Sequence, residues 1–312
     1  MTHTDRPMLG IALMLAFCIF APLGDSLAKL LGPHLSVGQI TTLRFALQAV
    51  FLIPLSLVLG RSWRMSRRTF VLLSARTVMH IAGIAMMVQA LMYLPIADAI
   101  AIAFVMPFIA LLLGHIFMGE HVGPHRLGAC VVGFGGTLLV LQPAFSEVGA
   151  PALIPLAVAL VFTIYMLLSR ALGPRLDPIA QQAAAAPIAL ALLLPVMAFT
   201  PDSIAQTAWT TPEPDHWRLV LLMGAIGSLS HLVMAWALKY APASTLAPMQ
   251  YLEIPAATAI GWLIFRDTPG AMASVGIAII MGAGLYIVMR ERASAALTAQ
   301  PKPMHQGSPP AQ

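Results

Sequence analysis

Leu31-Gly32-Pro33-His34-Leu35-Ser36 returns 141 residues further on as Leu172-Gly173-Pro174-Arg175-Leu176-Asp177, and Pro54 returns as Pro195. At an offset of 147, Ala90, Leu91, Tyr93, Pro95, Ala110, Gly114, Gly135 and Leu138 fall on Ala237, Leu238, Tyr240, Pro242, Ala257, Gly261, Gly282 and Leu285. The six-residue difference is taken up by a longer loop in the second copy, Thr200 to Trp217. Coinciding Leu and Ala mean little in apolar sequence, but Gly, Pro and Tyr recurring at a fixed offset point to tandem duplication. The repeats are read as 1–145 and 146–292, followed by a tail, 293–312.

Composition sets the solvent. Of 312 residues 59% are hydrophobic and 9% charged, against roughly 25% charged in a soluble domain. The apolar stretches are Met8 to Leu31, Ile40 to Leu59, Phe70 to Tyr93, Ala97 to Met118 and Leu127 to Leu141. In the second half they are Pro151 to Leu172, Ile179 to Ala198, Trp217 to Tyr240, Ala243 to Phe265 and Pro269 to Met289. Most approach the ~20 residues that cross a bilayer core, with Leu127 to Leu141 the short one. The fold class is therefore an all-α membrane protein with ten transmembrane helices, five per repeat. The first stretch follows a single Arg and contains Asp25 and Lys29, so it reads as a retained helix and not a cleaved leader. Cys18 and Cys130 both fall in spans, with neither disulfide nor zinc spacing.

Arg6, Arg61, Arg64, Arg67, Arg68, Arg126, Arg170, Arg175, Lys239, Arg290, Arg292 and Lys302 fall on one side of such a bundle, and Lys29, Arg218 and Arg266 flank the other. The positive-inside rule then puts both termini in the cytoplasm of a bacterial-type inner membrane. An odd number of helices per repeat inverts the second copy relative to the first, the plan of many secondary transporters. The pI near 9.6 reports this topology and contact with the lipid bilayer, not nucleic-acid binding.

The run Ala90-Leu91-Met92-Tyr93-Leu94-Pro95-Ile96-Ala97-Asp98-Ala99, then Pro107, Gly119-Glu120 and Gly128, Gly133, Gly135 and Gly136, resembles the helix 3 to helix 5 signature of the EamA-like drug/metabolite transporters. Arg44 in Thr42-Leu43-Arg44-Phe45 matches an arginine that members often carry early in helix 2. Asp25-Ser26-Leu27-Ala28-Lys29 and Ala247-Pro248-Met249-Gln250-Tyr251-Leu252-Glu253 are similar to the branch with S-adenosylmethionine and riboflavin importers. Helix 1 offers Phe17 and Phe20 where many members have tryptophan, and Asp267 stands where many have Glu. The resemblance implies carriage of a small polar metabolite without a cofactor; family members move metabolites in either direction.

The buried charges are few, and each costs at least ~2.5 to 3.5 kcal/mol at a helix centre unless it faces a cavity or partner. Asp25 and Arg44 lie at comparable depth, roughly 10 Å in at ~1.5 Å per residue, and are expected to pair, as a structural lock or as a gate. Arg76, His80 one turn on, and His231 lie deeper from the cytoplasmic side, and Glu253 near the midplane. Their meeting would fall between the repeats, where transporter sites form. Glu253, with Tyr251 and Gln250 before it, is expected to line a substrate cavity and to bind a cationic group or a coupling proton. Arg76 either grips a carboxylate with its planar fork or neutralises Glu253, and His80 and His231, taken singly, read first as hydrogen-bonded packing residues and only together as part of the site.

Pro22, Pro107 and Pro255 are expected to interrupt helices 1, 4 and 9, as passive kinks or as hinges lining the cavity. The glycines of helix 5 and Gly276, Gly282 and Gly284 of helix 10 allow close helix packing. No Walker sequence is present, so transport would run on an ion or substrate gradient. A lipid-linked flippase and, more remotely, an intramembrane enzyme are the competing classes. A homodimer is compatible with the plan. The tail 293–312, rich in Ala, Pro, Gln and Ser, has no apolar face and is expected to be disordered.

Overall fold

The computed structural model describes residues 7–106, 108–109, 113, 124–173, 175–201, 204–240, 246 and 249–298. Pro107, expected to interrupt helix 4, lies outside them, as do residues 299–312 of the tail. The helices are α1 (Pro7–Leu31), α2 (Val37–Val58), α3 (Arg67–Leu91), α4 (Ile96–Ala103), α5 (Pro124–Val148), α6 (Ile154–Leu172), α7 (Pro178–Phe199), α8 (Pro214–Tyr240), α9 (Glu253–Phe265) and α10 (Ala271–Thr298). No strand occurs among the described residues. Seven of these helices are long and apolar enough to cross a membrane, and α9 and α10 are shorter apolar segments in the same sense. Val58 and Phe199 leave 84% and 87% of their surface uncovered, with other large apolar residues around the barrel of helices, as lipid permits and water does not.

The duplicated sequence motif has a local job. Ser36 caps α2 by accepting the Gln39 N–H at 3.1 Å, and its counterpart Asp177 caps α7 by accepting the Ile179 N–H at 3.1 Å. Both side chains satisfy one of the N–H groups that open a helix. The two halves then interlock: α1 packs on α8 and α3 on α6, while α2, α4 and α5 pack on α7, α9 and α10. Gly136 and Gly276 let α5 and α10 meet backbone to backbone, since a Cβ on either would press on the carbonyl oxygen of the other.

Two helices are interrupted at counterpart positions. α4 ends at Ala103, Phe104-Val105 form a turn, and the chain is helical again at Met106. Shifted by 147, these become Tyr251-Leu252, also a turn, and Glu253, the first residue of α9. The turns carry tightened bonds, Val105 N–H to Ile102 O at 3.3 Å and Leu252 N–H to Met249 O at 3.0 Å. The rings of Phe104 and Tyr251 meet at 5.3 Å between centroids.

The proline expectations need correction. α1 runs unbroken through the buried Pro22, and Ser26 donates its hydroxyl proton to the Pro22 carbonyl at 2.7 Å. Pro255 does not sit in mid-helix: it is the third residue of α9, exposed, where its missing N–H costs nothing because opening N–H groups have no intrahelical partner. The fifth helix, expected to be short, spans 25 residues. α10 continues through Thr298, so the first residues of the segment expected to be disordered are helical.

Candidate functional site

A cavity of about 740 Å³, its opening to solvent included, lies among α1, α2, α3, α4, α6, α8 and α9. The broken helices bring Met106 and Glu253 to its lining, with Gln250 just ahead of the second break. Cys18 of α1 donates to the Met249 carbonyl at 3.2 Å and ties that approach segment down. As the first residue of α9, Glu253 occupies the helix end whose dipole favours an anion.

Asp25 and Arg44 also line the cavity, with Arg44 Nη1 3.9 Å from Asp25 Oδ1. Arg44 reaches this place because α8 carries Gly227 there; a Cβ would stand 2.8 Å from Arg44 Nε. His231 completes the polar lining, and its ring lies 6.5 Å from Phe17 and 6.4 Å from Phe162 between centroids.

Behind His231, away from the lining, His80 Nε2 approaches His231 Nε2 at 3.2 Å. One nitrogen must carry the proton and the other accept it. His80 stacks near Tyr165 at 4.7 Å between ring centroids. Arg76 belongs to this second group. Its Nε donates to Ser169 Oγ at 2.8 Å and its Nη2 to Tyr165 Oη at 2.7 Å and Gln182 Oε1 at 3.3 Å, with the guanidinium 4.6 Å from the Tyr165 ring centroid.

Arg76 therefore does not neutralise Glu253; no ion pair joins them among the described residues, and Arg76 is not part of the cavity lining. Tyr251 is displaced from the expected site as well. Its ring lies in the core beside Phe104 and against Gly284, outside the cavity lining. Pro22 and Pro255 do not line the cavity either. Sequence reasoning missed Phe104, Met106 and Phe162 in the lining and Tyr165, Ser169 and Gln182 around Arg76. The last three were visible as polar residues inside apolar spans; the first three carry no such mark.

At its two ends the bundle is tied across the halves. Lys29 donates to the Leu94 carbonyl at 2.8 Å and stands 3.5 Å from Asp267. At the other end Arg61 and Lys239 reach Asp177 at 3.7 and 3.5 Å.

Related halves that enclose a cavity beside helix breaks define a membrane carrier by build. The chain belongs to the EamA-like transporter family, whose profile matches it twice, over residues 8–142 and 150–290. A riboflavin transporter of Brucella anthropi is 28% identical over 72% of this chain and 78% of its own. An S-adenosylmethionine uptake transporter of Rickettsia bellii is 24% identical over 91% of this chain and 94% of its own. A solved crystal structure shares the fold with a TM-score of 0.63 at 18% identity, covering 93% of this chain and 99% of that one.

Proposed function

We propose that the chain is a secondary transporter of a bacterial inner membrane that moves a small polar metabolite, of the S-adenosylmethionine, riboflavin or amino-acid kind, by alternating access. The observation that carries this reading is Glu253: a carboxyl group at a helix break, in the cavity lining, with no ion-pair partner among the described residues. Asp25 and Arg44 answer one another, so Glu253 is the charge left for a visitor, either a cationic part of the substrate or a coupling proton. The cross-pairing of α1 with α8 and α3 with α6 supports two inverted repeats, 1–145 and 146–292, of five membrane-crossing helices each. In this scheme both termini are cytoplasmic, the Asp25–Arg44 pair and the His80–His231 contact are interfaces that part when access switches, and the breaks in α4 and α9 serve as hinges.

Purified protein in proteoliposomes tests the class. Riboflavin or S-adenosylmethionine is expected to accumulate in or exchange across the vesicles while labelled phospholipid stays in its leaflet. Lipid scrambling without metabolite movement would replace this reading with a flippase. Cysteine labels at positions 67 and 170 are expected to react from the cytoplasmic side only, and one at 215 from outside; labelling of 67 and 170 from opposite sides would end the inverted scheme.

A further inference from the structure

We propose that the cavity is two-walled and selects a metabolite carrying a flat conjugated ring at one end and a cationic or hydrogen-bond-donating group at the other. This rests on reading the cavity as the substrate site. Its polar side chains are Asp25, Arg44, His231, Gln250 and Glu253. They come from α1, α2, α8 and the α9 break, and α1, α2 and α9 are linked by their packing on α8 or α1. The rest of the lining comes from α3, α6, and α4 with the break that follows it, which pack on one another and contribute only apolar side chains and glycine; Phe104, Met106 and Phe162 are the most prominent, with Phe162 reaching the polar side at His231, 6.4 Å between ring centroids. Phe17, from α1, adds a ring at the seam beside His231.

The division is not imposed by the scaffold. Every polar lining residue has an apolar counterpart in the other repeat: Asp25 and Arg44 correspond to Met166 and Ala185 at the offset of 141. His231, Gln250 and Glu253 correspond to Ile84, Ala103 and Met106 at 147. Six of the ten positions repeat the pattern inside the cavity itself, because Glu253 and Met106, His231 and Ile84, and Gln250 and Ala103 all line it. Duplicated backbone thus presents one chemistry on one side and the opposite chemistry on the other.

A ligand matching this surface must be amphipathic. A ring laid against Phe104 and Phe162 gains offset or edge contacts, and the Met106 thioether adds a polarizable partner. A fully polar ligand of the same size would leave hydrogen-bonding groups against that wall without partners. With Asp25 and Arg44 mutually matched, the unmatched Glu253 favours a cation or donor over an anion.

The experiment uses the full chain in nanodiscs and three probes: proflavine, a flat aromatic cation; choline, an aliphatic cation; and fluorescein, a flat anion. Proflavine is expected to bind, read by anisotropy against empty nanodiscs, with neither choline nor fluorescein displacing it at equal concentration. Glu253→Gln is expected to weaken proflavine about tenfold or more. Phe162→Leu, which keeps an apolar side chain but removes the ring, is expected to weaken it about three- to tenfold. Thermal unfolding of each variant separates loss of the site from loss of the fold, and Phe134→Leu, which removes an exposed ring of α5 outside the cavity lining, is expected to bind proflavine like the parent. Equal competition by choline, or an unchanged affinity in a folded Phe162→Leu protein, overturns the two-walled site. The transporter reading fails separately: proflavine that binds with this dependence but never crosses a proteoliposome membrane would leave the site standing and remove the transport.

Discussion

Arg76 and Glu253 are both ionisable groups held inside an apolar bundle, and the structure treats them in opposite ways. Arg76 is 1% exposed and donates from Nε and Nη2 to Ser169, Tyr165 and Gln182, all from the other repeat, while its buried Nη1 has no hydrogen-bond partner. Glu253 sits at a helix break, faces a cavity and has no ion-pair partner among the described residues. The lesson is that an intramembrane charge marks function by what lies in front of it. A group that hydrogen-bonds to side chains of other helices, outside any cavity lining, knits those helices together; one that faces open space is available to a ligand or proton.

The largest effects are expected where a charge would be stranded. Asp25→Asn or Arg44→Gln alone leaves one unpartnered ion among α1, α2 and α8, a loss on the order of 3 to 5 kcal/mol. The double variant is expected to recover a good part of it. Chemical unfolding of inserted protein reads this, and equal losses in single and double variants would assign the two residues separate roles.

Next comes Arg76→Leu, which removes three hydrogen bonds from a guanidinium and leaves Tyr165 and Gln182 short of a partner. A loss of about 2 to 3 kcal/mol is expected, while the surviving folded fraction keeps its substrate affinity. A large change of affinity with stability intact would break the contrast, by making Arg76 a ligand-binding group after all.

Smaller again is Gly227→Ala. Its Cβ would stand 2.8 Å from Arg44 Nε, so the guanidinium that faces Asp25 must move, with a cost of about 1 to 3 kcal/mol from overpacking. Combining Gly227→Ala with Arg44→Gln is expected to cost less than the sum of the two. Strict additivity would mean that the glycine does not position the arginine.

Much of the fold was legible because its cause is one-dimensional. Span length, apolar content and the recurrence of Leu-Gly-Pro-x-Leu before a capping Ser36 or Asp177 are all written along the chain. Depth along a helix is legible in the same way, and His80 and His231, placed at similar depth, are indeed brought to 3.2 Å. Direction around the helix is another matter. Only Leu252 separates Tyr251 from Glu253, yet the turn there sends one to the core and the other to the cavity. Arg76 was read toward Glu253 for want of its real partners, since nothing in a single sequence says that Tyr165, Ser169 and Gln182 converge on it. The breaks at Phe104 and Tyr251 contain no proline; of the expected prolines, Pro255 lies just beyond the break of its helix and Pro22 marks no break at all.

Glu253→Gln in proteoliposomes tests the central claim most directly. With whichever of riboflavin or S-adenosylmethionine the parent protein accumulates, the variant is expected to lose gradient-driven accumulation. If Glu253 carries the coupling proton, exchange of substrate across the membrane survives, because exchange needs no net proton movement; if it holds a cationic substrate group, exchange falls in parallel. A correctly inserted Glu253→Gln protein that accumulates and exchanges like the parent would contradict the account and make Glu253 a structural carboxylate.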